Sequence, residues 1–214
     1  MSWLVKTFMS SIGKKLVMAV TGLLFCLFIT VHLLGNFSIY GGKESFLSYV
    51  DHPLSVGALV AVAEFGLIFF AVLHIGMGLY LFFENLRARP VAYAVKKSAG
   101  GQTIGSSTAP YSGALILVFL IAHLLKFRFV DKTAINDFVI LSNVFADFGF
   151  WTLFYLAGVG IVAVHVSHGA WSMFQTLGFN HPKYMPYVER LAVVFSLIIG
   201  VGFASIPVFL CLSL

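Results

Sequence analysis

Thr21-Gly22-Leu23-Leu24-Phe25-Cys26-Leu27-Phe28-Ile29-Thr30-Val31-His32-Leu33-Leu34 decides how this chain is read, because the pattern returns. Ninety-one residues later stand Ser112-Gly113, nine further residues, and His123-Leu124-Leu125. A second pair of segments repeats at the same offset. His74-x-x-x-Gly78-x-Tyr80 is matched by His165-x-x-x-Gly169-x-Trp171. Within each half the histidines are 42 residues apart, 32 to 74 and 123 to 165. All four lie deep in apolar stretches, where a histidine is costly unless it has a partner or a ligand.

The wider composition places those stretches in lipid. The chain is 60% hydrophobic and 10% charged, with mean hydropathy +0.99. A soluble domain of 214 residues could not hide that much apolar surface. Cys26 and Cys211 both lie in apolar runs and form no CxxC pattern, so neither a disulfide framework nor a cysteine zinc site is supported. No cleavable signal is expected, since the first apolar stretch is too long for a signal core and no small-residue cleavage site follows it.

Five segments are long enough to span, and the whole of 1–214 reads as one membrane domain. They are Lys15–Ile39, Val56–Leu86, Tyr111–Phe129, Phe148–Thr176 and Arg190–Leu212, against the roughly 20 residues a helix needs to cross. Gly41-Gly42, Pro53, the Gly/Ser/Thr-rich stretch Ala99–Pro110 and Asn180-His181-Pro182 punctuate them, and Ala99–Pro110 is the expected flexible connection. With a cytoplasmic N-terminus, nine bases fall inside: Lys6, Lys14, Lys15, Arg87, Arg89, Lys96, Lys97, Lys183 and Arg190. Four fall outside: Lys43, Lys126, Arg128 and Lys132. That asymmetry satisfies the positive-inside rule. The net charge of +5 is thus a topology signal, and no nucleic-acid partner is expected.

Depth then pairs the histidines. His32 lies 8 residues before Tyr40 and His123 lies 5 before Arg128, so both are roughly 8–12 Å from the outer end at about 1.5 Å per residue. His74 lies 20 residues after Leu54 and His165 lies 18 after Asp147, so both are roughly 27–30 Å from it. An outer pair, His32 with His123, and an inner pair, His74 with His165, suggest the axial ligands of two haems within a helix bundle. Zinc or copper would want its ligands clustered at one depth. Gly22, Gly113, Gly78 and Gly169 would give space for a porphyrin face or a close helix. Each histidine taken singly reads as a core residue bonded to a neighbouring helix, and each glycine as a packing contact. His168, one turn from His165, competes with it as the inner ligand, although its repeat partner is Met77. The expected fold is all-α: helices I–IV form a four-helix bundle around two haems, and helix V is peripheral, with Pro207 as a kink site.

The four histidines, the Thr21-Gly22 and Ser112-Gly113 pairs and the five spans resemble a known family. It is the di-haem cytochrome b membrane anchor of succinate:quinone oxidoreductases, in its five-helix, single-subunit form. Ser11–Lys15, Arg87–Pro90 and His165–Trp171 look similar to it too, and the resemblance covers essentially the whole chain. It implies two haem b groups and a quinone, menaquinone foremost. It implies a flavoprotein subunit and an iron–sulfur subunit at the cytoplasmic face of a prokaryotic inner membrane, with assembly as a dimer of heterotrimers an open option. The chain would pass electrons between quinol and those subunits, which would interconvert fumarate and succinate. It carries no flavin or dicarboxylate motif of its own.

Quinol oxidation releases protons, and Glu44, Asp51, His52 and Glu64 fall toward the outer ends of the first two spans. Glu44 is the first candidate acceptor by its place in the connecting segment. Glu64 is the second, read as a buried acid within helix II, where an acid is a functional candidate by default. The plainer reading of Glu44 and Asp51 is solvated loop charge. Lys14, Lys15, Arg87 and Arg89 are candidate partners for inner haem propionates, and Lys126 and Arg128 for outer ones; snorkelling at a helix end is the simpler account of all six. Two other functions remain open: a b-type anchor for another dehydrogenase, and a transporter on a parallel repeat, which predicts a midplane substrate site and no haem.

Overall fold

The computed structural model describes residues 2–54, 57–88 and 103–213, and among the described residues every regular element is helical. A short α1 (Trp3–Phe8) leads into α2 (Ser11–Asn36), a 3-10 turn (Phe37–Gly41), α3 (Lys43–Leu54) and α4 (Gly57–Arg87). Then follow α5 (Ile104–Phe127), α6 (Asp137–Val144), α7 (Phe150–Thr176) and α8 (Met185–Ser213). Five of these, α2 with its 3-10 extension, α4, α5, α7 and α8, are long and apolar enough to cross a membrane. They fall on the five expected spans. "Inner" below denotes the end bearing α1, and "outer" the end bearing α3 and α6.

Local chemistry sets the ends. Ser10 caps α2 by accepting the Gly13 N–H at 3.1 Å. Gly42, at φ +86°, stops the 3-10 turn in a backbone region that favours glycine. At α7 the Gly149 N–H donates to Asp147 Oδ1 at 2.8 Å, and the fully buried Thr152 hydroxyl donates to the Asp147 carbonyl at 2.7 Å.

Three connections differ from the sequence reading. The expected flexible stretch Ala99–Pro110 is helical from Ile104 onward, while 99–102 lie outside the described residues. The cause is a capping box. Thr103 Oγ1 accepts the Ser106 N–H at 3.1 Å, and Ser106 Oγ accepts the Thr103 N–H at 2.9 Å. Ser107 and Thr108 then return their hydroxyls to the Ile104 carbonyl. Residues that composition reads as linker are the opening turn of a helix, and Pro110 sits within it. The other two differences are α3 and α6, amphipathic or short helices in segments read as plain connections. Arg89, Lys96, Lys97 and Pro90 lie outside the described residues.

Packing is uneven. Helix α7 lies against α2, α5 and α8, and α2 also meets α4 and α8. Helix α4 leans mainly on α2, and no residue of its most apolar window is buried. The main apolar cluster stands at the outer end: Leu33, Ile39, Phe46, Leu141, Phe145, Tyr155, Ile199, Ile206 and Leu210. Helices α3 and α6 pack against each other there and supply Phe46 and Leu141. Helix α8, expected as a peripheral element, contributes Ile199, Ile206 and Leu210. Large apolar side chains such as Phe65, Val62, Leu191 and Val201 stay exposed on the spans, the surface lipid would cover.

Candidate functional site

The outer histidines meet. His32 on α2 and His123 on α5 have ring centroids 6.0 Å apart with planes at 90°. Aromatic rings enclose both. Phe28 stacks on His32 at 5.4 Å, and Phe203 of α8 lies 5.6 Å from it. Phe127, Tyr155 and Phe119 surround His123 at 5.3, 5.9 and 6.1 Å. The packing leaves polar atoms without partners. Among the described residues His123 Nδ1 and Tyr155 Oη are buried and make no hydrogen bond. The Asn36 side-chain nitrogen approaches the two His32 ring nitrogens only at 3.4 and 3.5 Å, while donating a good bond to the His32 carbonyl at 2.8 Å.

The inner histidines are held differently. Thr21 Oγ1 is 2.8 Å from His74 Nδ1, and Ser112 Oγ is 2.9 Å from His165 Nδ1. Each bond spans 53 residues of chain, so the sequence repeat carries the contact intact. Both hydroxyl residues are buried. Thr21 donates its own proton to the Val17 carbonyl at 2.7 Å, and Ser112 to the Ala109 carbonyl at 3.1 Å. With its proton so placed, each oxygen presents a lone pair to the ring and accepts from Nδ1–H. In that arrangement the ring is the Nδ1–H tautomer, the one whose Nε2 is the basic nitrogen.

Depth follows from these contacts. The His32–His123 approach sets the relative height of α2 and α5. Thr21 and Ser112 lie eleven residues inward on those helices, from 32 to 21 and from 123 to 112. At about 1.5 Å per residue the two hydroxyls, and the histidines they hold, share a level roughly 16 Å from the outer pair.

The glycines divide. A Cβ on Gly22 would lie 3.7 Å from His74 Cε1, and one on Gly113 3.5 Å from His165 Cε1. Each glycine therefore neighbours an inner histidine ring, at a distance a Cβ would tolerate, rather than the outer histidine ten residues along its own helix. A Cβ on Gly78 would lie 3.7 Å from Met18, and one on Gly169 would meet none of the described residues within 4 Å. His168 packs edge-on against Trp171 at 5.4 Å, and its buried Nδ1 has no partner among the described residues. It lacks the hydroxyl that His165 has.

Glu64 is not the buried acid that the sequence suggested. Its side chain is 41% exposed and is clasped by Arg128 across α4 and α5, with Nε–Oε1 at 2.8 Å and Nη2–Oε2 at 3.0 Å. The span is one-sided there, and the guanidinium supplies the charge partner that an apolar helix lacks. Glu44 is exposed in the first turn of α3. Asp51 is exposed near the end of that helix. The side chain of His52 lies outside the described residues. Several bases considered for propionates are engaged elsewhere. Buried Lys14 reaches Glu84 at 2.5 Å and lies 4.7 Å from the Tyr80 ring centre. Lys126 stands 4.1 Å over Trp151, and Lys132 pairs with Asp137.

Sequence reasoning missed Thr21 and Ser112 as functional residues. The signal was present, since both sit in the repeat immediately before its glycines. It missed Tyr155 and Phe203 because neither has a counterpart marking it in the other half.

The outer pair fits a bis-imidazole metal group. Among the described residues no three His, Cys, Asp or Glu side chains converge, so a metal held by such side chains alone would find too few ligands. A metal carrying its own equatorial ligands needs only two histidines. Imidazoles on opposite sides of one ion, each nitrogen about 2 Å from it, have ring centres roughly 6 Å apart, the separation of His32 and His123. No family model, no curated protein and no solved structure matches this chain significantly.

Proposed function

We propose that this chain is the di-haem cytochrome b anchor of a succinate:quinone oxidoreductase, with helices I–IV arranged around two b haems. The observation that carries the reading is the pair of histidine levels: rings 6.0 Å apart at one, and rings held by hydroxyls at Nδ1 at the other. A buried imidazole with no partner is costly, and two haems satisfy all four. His32 and His123 would hold the outer haem, His74 and His165 the inner. The haems would supply reversible one-electron storage.

The chain's own residues then have separate tasks. Thr21 and Ser112 orient the inner ligands. Phe28, Phe119, Phe127, Tyr155 and Phe203 keep water from the outer pair. The charge asymmetry supports a cytoplasmic N-terminus in a prokaryotic membrane. The inner haem would then face the iron–sulfur and flavoprotein subunits, and a quinol, menaquinol foremost, would react toward the outer end. Glu44 and Glu64 stand as the candidate proton acceptors there; the Arg128 clasp makes Glu64 an acid that must part from its base to take a proton.

The test uses membranes containing the assembled complex. Quinol should reduce a b-type absorbance, and fumarate should reoxidise it. A complex that turns over fumarate without any haem absorbance, or a chain that purifies without dehydrogenase subunits and moves a solute instead, would overturn the reading.

A further inference from the structure

The two histidine levels differ in one respect that the sequence repeat conceals. At the inner level each ring has a buried hydroxyl on Nδ1: Thr21 for His74 and Ser112 for His165. At the outer level His123 Nδ1 is buried without a partner among the described residues, and His32 has only the distant Asn36 amide. The matching positions one turn beyond each outer histidine do not repair this, because Asn36 is answered in the repeat by the apolar Phe127.

We infer that Thr21 and Ser112 are positioning residues that set the electronic character of the inner metal site apart from the outer one. The inference rests on the haem reading above. Its physical basis is the direction of the hydrogen bonds. Each hydroxyl spends its proton on a backbone carbonyl of its own helix, Val17 for Thr21 and Ala109 for Ser112. With Nε2 on the metal, Nδ1 carries the ring proton, and the hydroxyl oxygen accepts it. An imidazole that donates its Nδ1–H gains negative character, and its Nε2 becomes a stronger electron donor. A stronger donor favours the oxidised over the reduced metal, so the hydroxyls lower the reduction potential of the inner group. They also hold each ring in one orientation, so a single nitrogen faces the metal. The ring edges lie over the adjacent Gly22 and Gly113, where a Cβ would stand in ordinary contact with them at 3.7 and 3.5 Å.

The geometry separates this role from plain packing. Thr21→Val keeps the shape and volume of the side chain and removes the hydroxyl, both the ring's acceptor and the donor to the Val17 carbonyl, which keeps its helical bond. Ser112→Ala does nearly the same. Thr21→Ser and Ser112→Thr return the oxygen with a different methyl count.

The experiment is a spectroscopic redox titration of the haem-loaded complex carrying each of these four substitutions, with haem per chain measured by pyridine haemochrome. Thr21→Val and Ser112→Ala are each expected to raise one midpoint of the two, the same one in both variants, and to leave the other in place. A tenfold loss of preference for the oxidised metal is a rise of about 59 mV in a one-electron couple, and a shift of that order is expected. Thr21→Ser and Ser112→Thr should restore the original midpoint. Loss of one haem of two in the acceptor-free variants, with retention in the conservative ones, also supports the role. Unshifted midpoints at full haem content overturn it. So do equal shifts of both midpoints, loss of both haems, or shifts of a different haem in each variant. An unsubstituted chain with no haem is a distinct result that removes the cytochrome reading and this inference with it.

Discussion

The inner and outer histidine pairs have the same residue type, the same repeat offset and the same spacing, yet they are built by opposite means. The outer rings are walled in by aromatic side chains from α2, α5, α7 and α8, and the main apolar cluster of the molecule lies beside them. The inner rings have directional bonds from Thr21 and Ser112. Shape holds one level and hydrogen bonding holds the other. A repeat in sequence therefore fixes where the histidines stand, while the residues around them decide what holds each one.

The largest expected effect breaks the comparison outright. His123→Leu should remove one haem of two and leave the inner one, read by haemochrome and by the loss of one titration step. If His123→Leu and His74→Leu abolish the same spectral component, the division into two levels fails. Tyr155→Ala comes next. Tyr155 is buried among Phe119, Phe127, Phe145 and His123, so truncation should cost about 3–5 kcal/mol. Thermal release in detergent should then show the outer haem leaving first. Release of the inner haem first would place the packing strength at the wrong level.

A smaller effect sharpens the inner end. Lys14 is buried and Glu84 half-exposed, so the two partners are not equivalent. Glu84→Gln keeps an accepting oxygen but strips the Lys14 ammonium of its counter-charge, and should be the costlier change. Lys14→Met leaves a carboxylate that water can reach, and should cost under about 1 kcal/mol. Equal losses in a detergent melting series would mean that the pair is as open as a surface bridge. The smallest effect is at the outer surface. The Thr133 backbone N–H holds the Asp131 carboxyl below its ordinary range. A depressed folded value means that its contribution is present at neutral pH and fades as pH falls through that value. Asp131→Asn should remove this slight acid sensitivity: the melting point falls a little and evenly above about pH 6, roughly two units above the ordinary aspartate range, and is unchanged in acid, where the carboxyl has lost its charge.

The spans and the histidine levels were legible in the sequence because both follow from periodic, additive features. Twenty apolar residues make a span wherever they occur, and depth is a count. The Thr103–Ser106 capping box was not, since Gly, Ser and Thr favour linkers and helix starts alike. Helices α3 and α6 were missed because a short helix depends on what it packs against. Glu64 was read as a buried acid because a linear sequence does not show that Arg128, 64 residues on, comes to stand opposite it. Thr21 and Ser112 were visible as a repeat but silent as chemistry until the fold brought His74 and His165 to them.

One measurement bears most directly on the claim that four half-buried histidines of the spans form two metal sites. It is the haem content of the purified complex per copy of this chain, taken with a redox titration of the same sample. The account predicts two b haems per chain with two separate midpoints. A well-folded complex with no haem, or with a single haem that survives substitution of any one of His32, His74, His123 and His165, would contradict it.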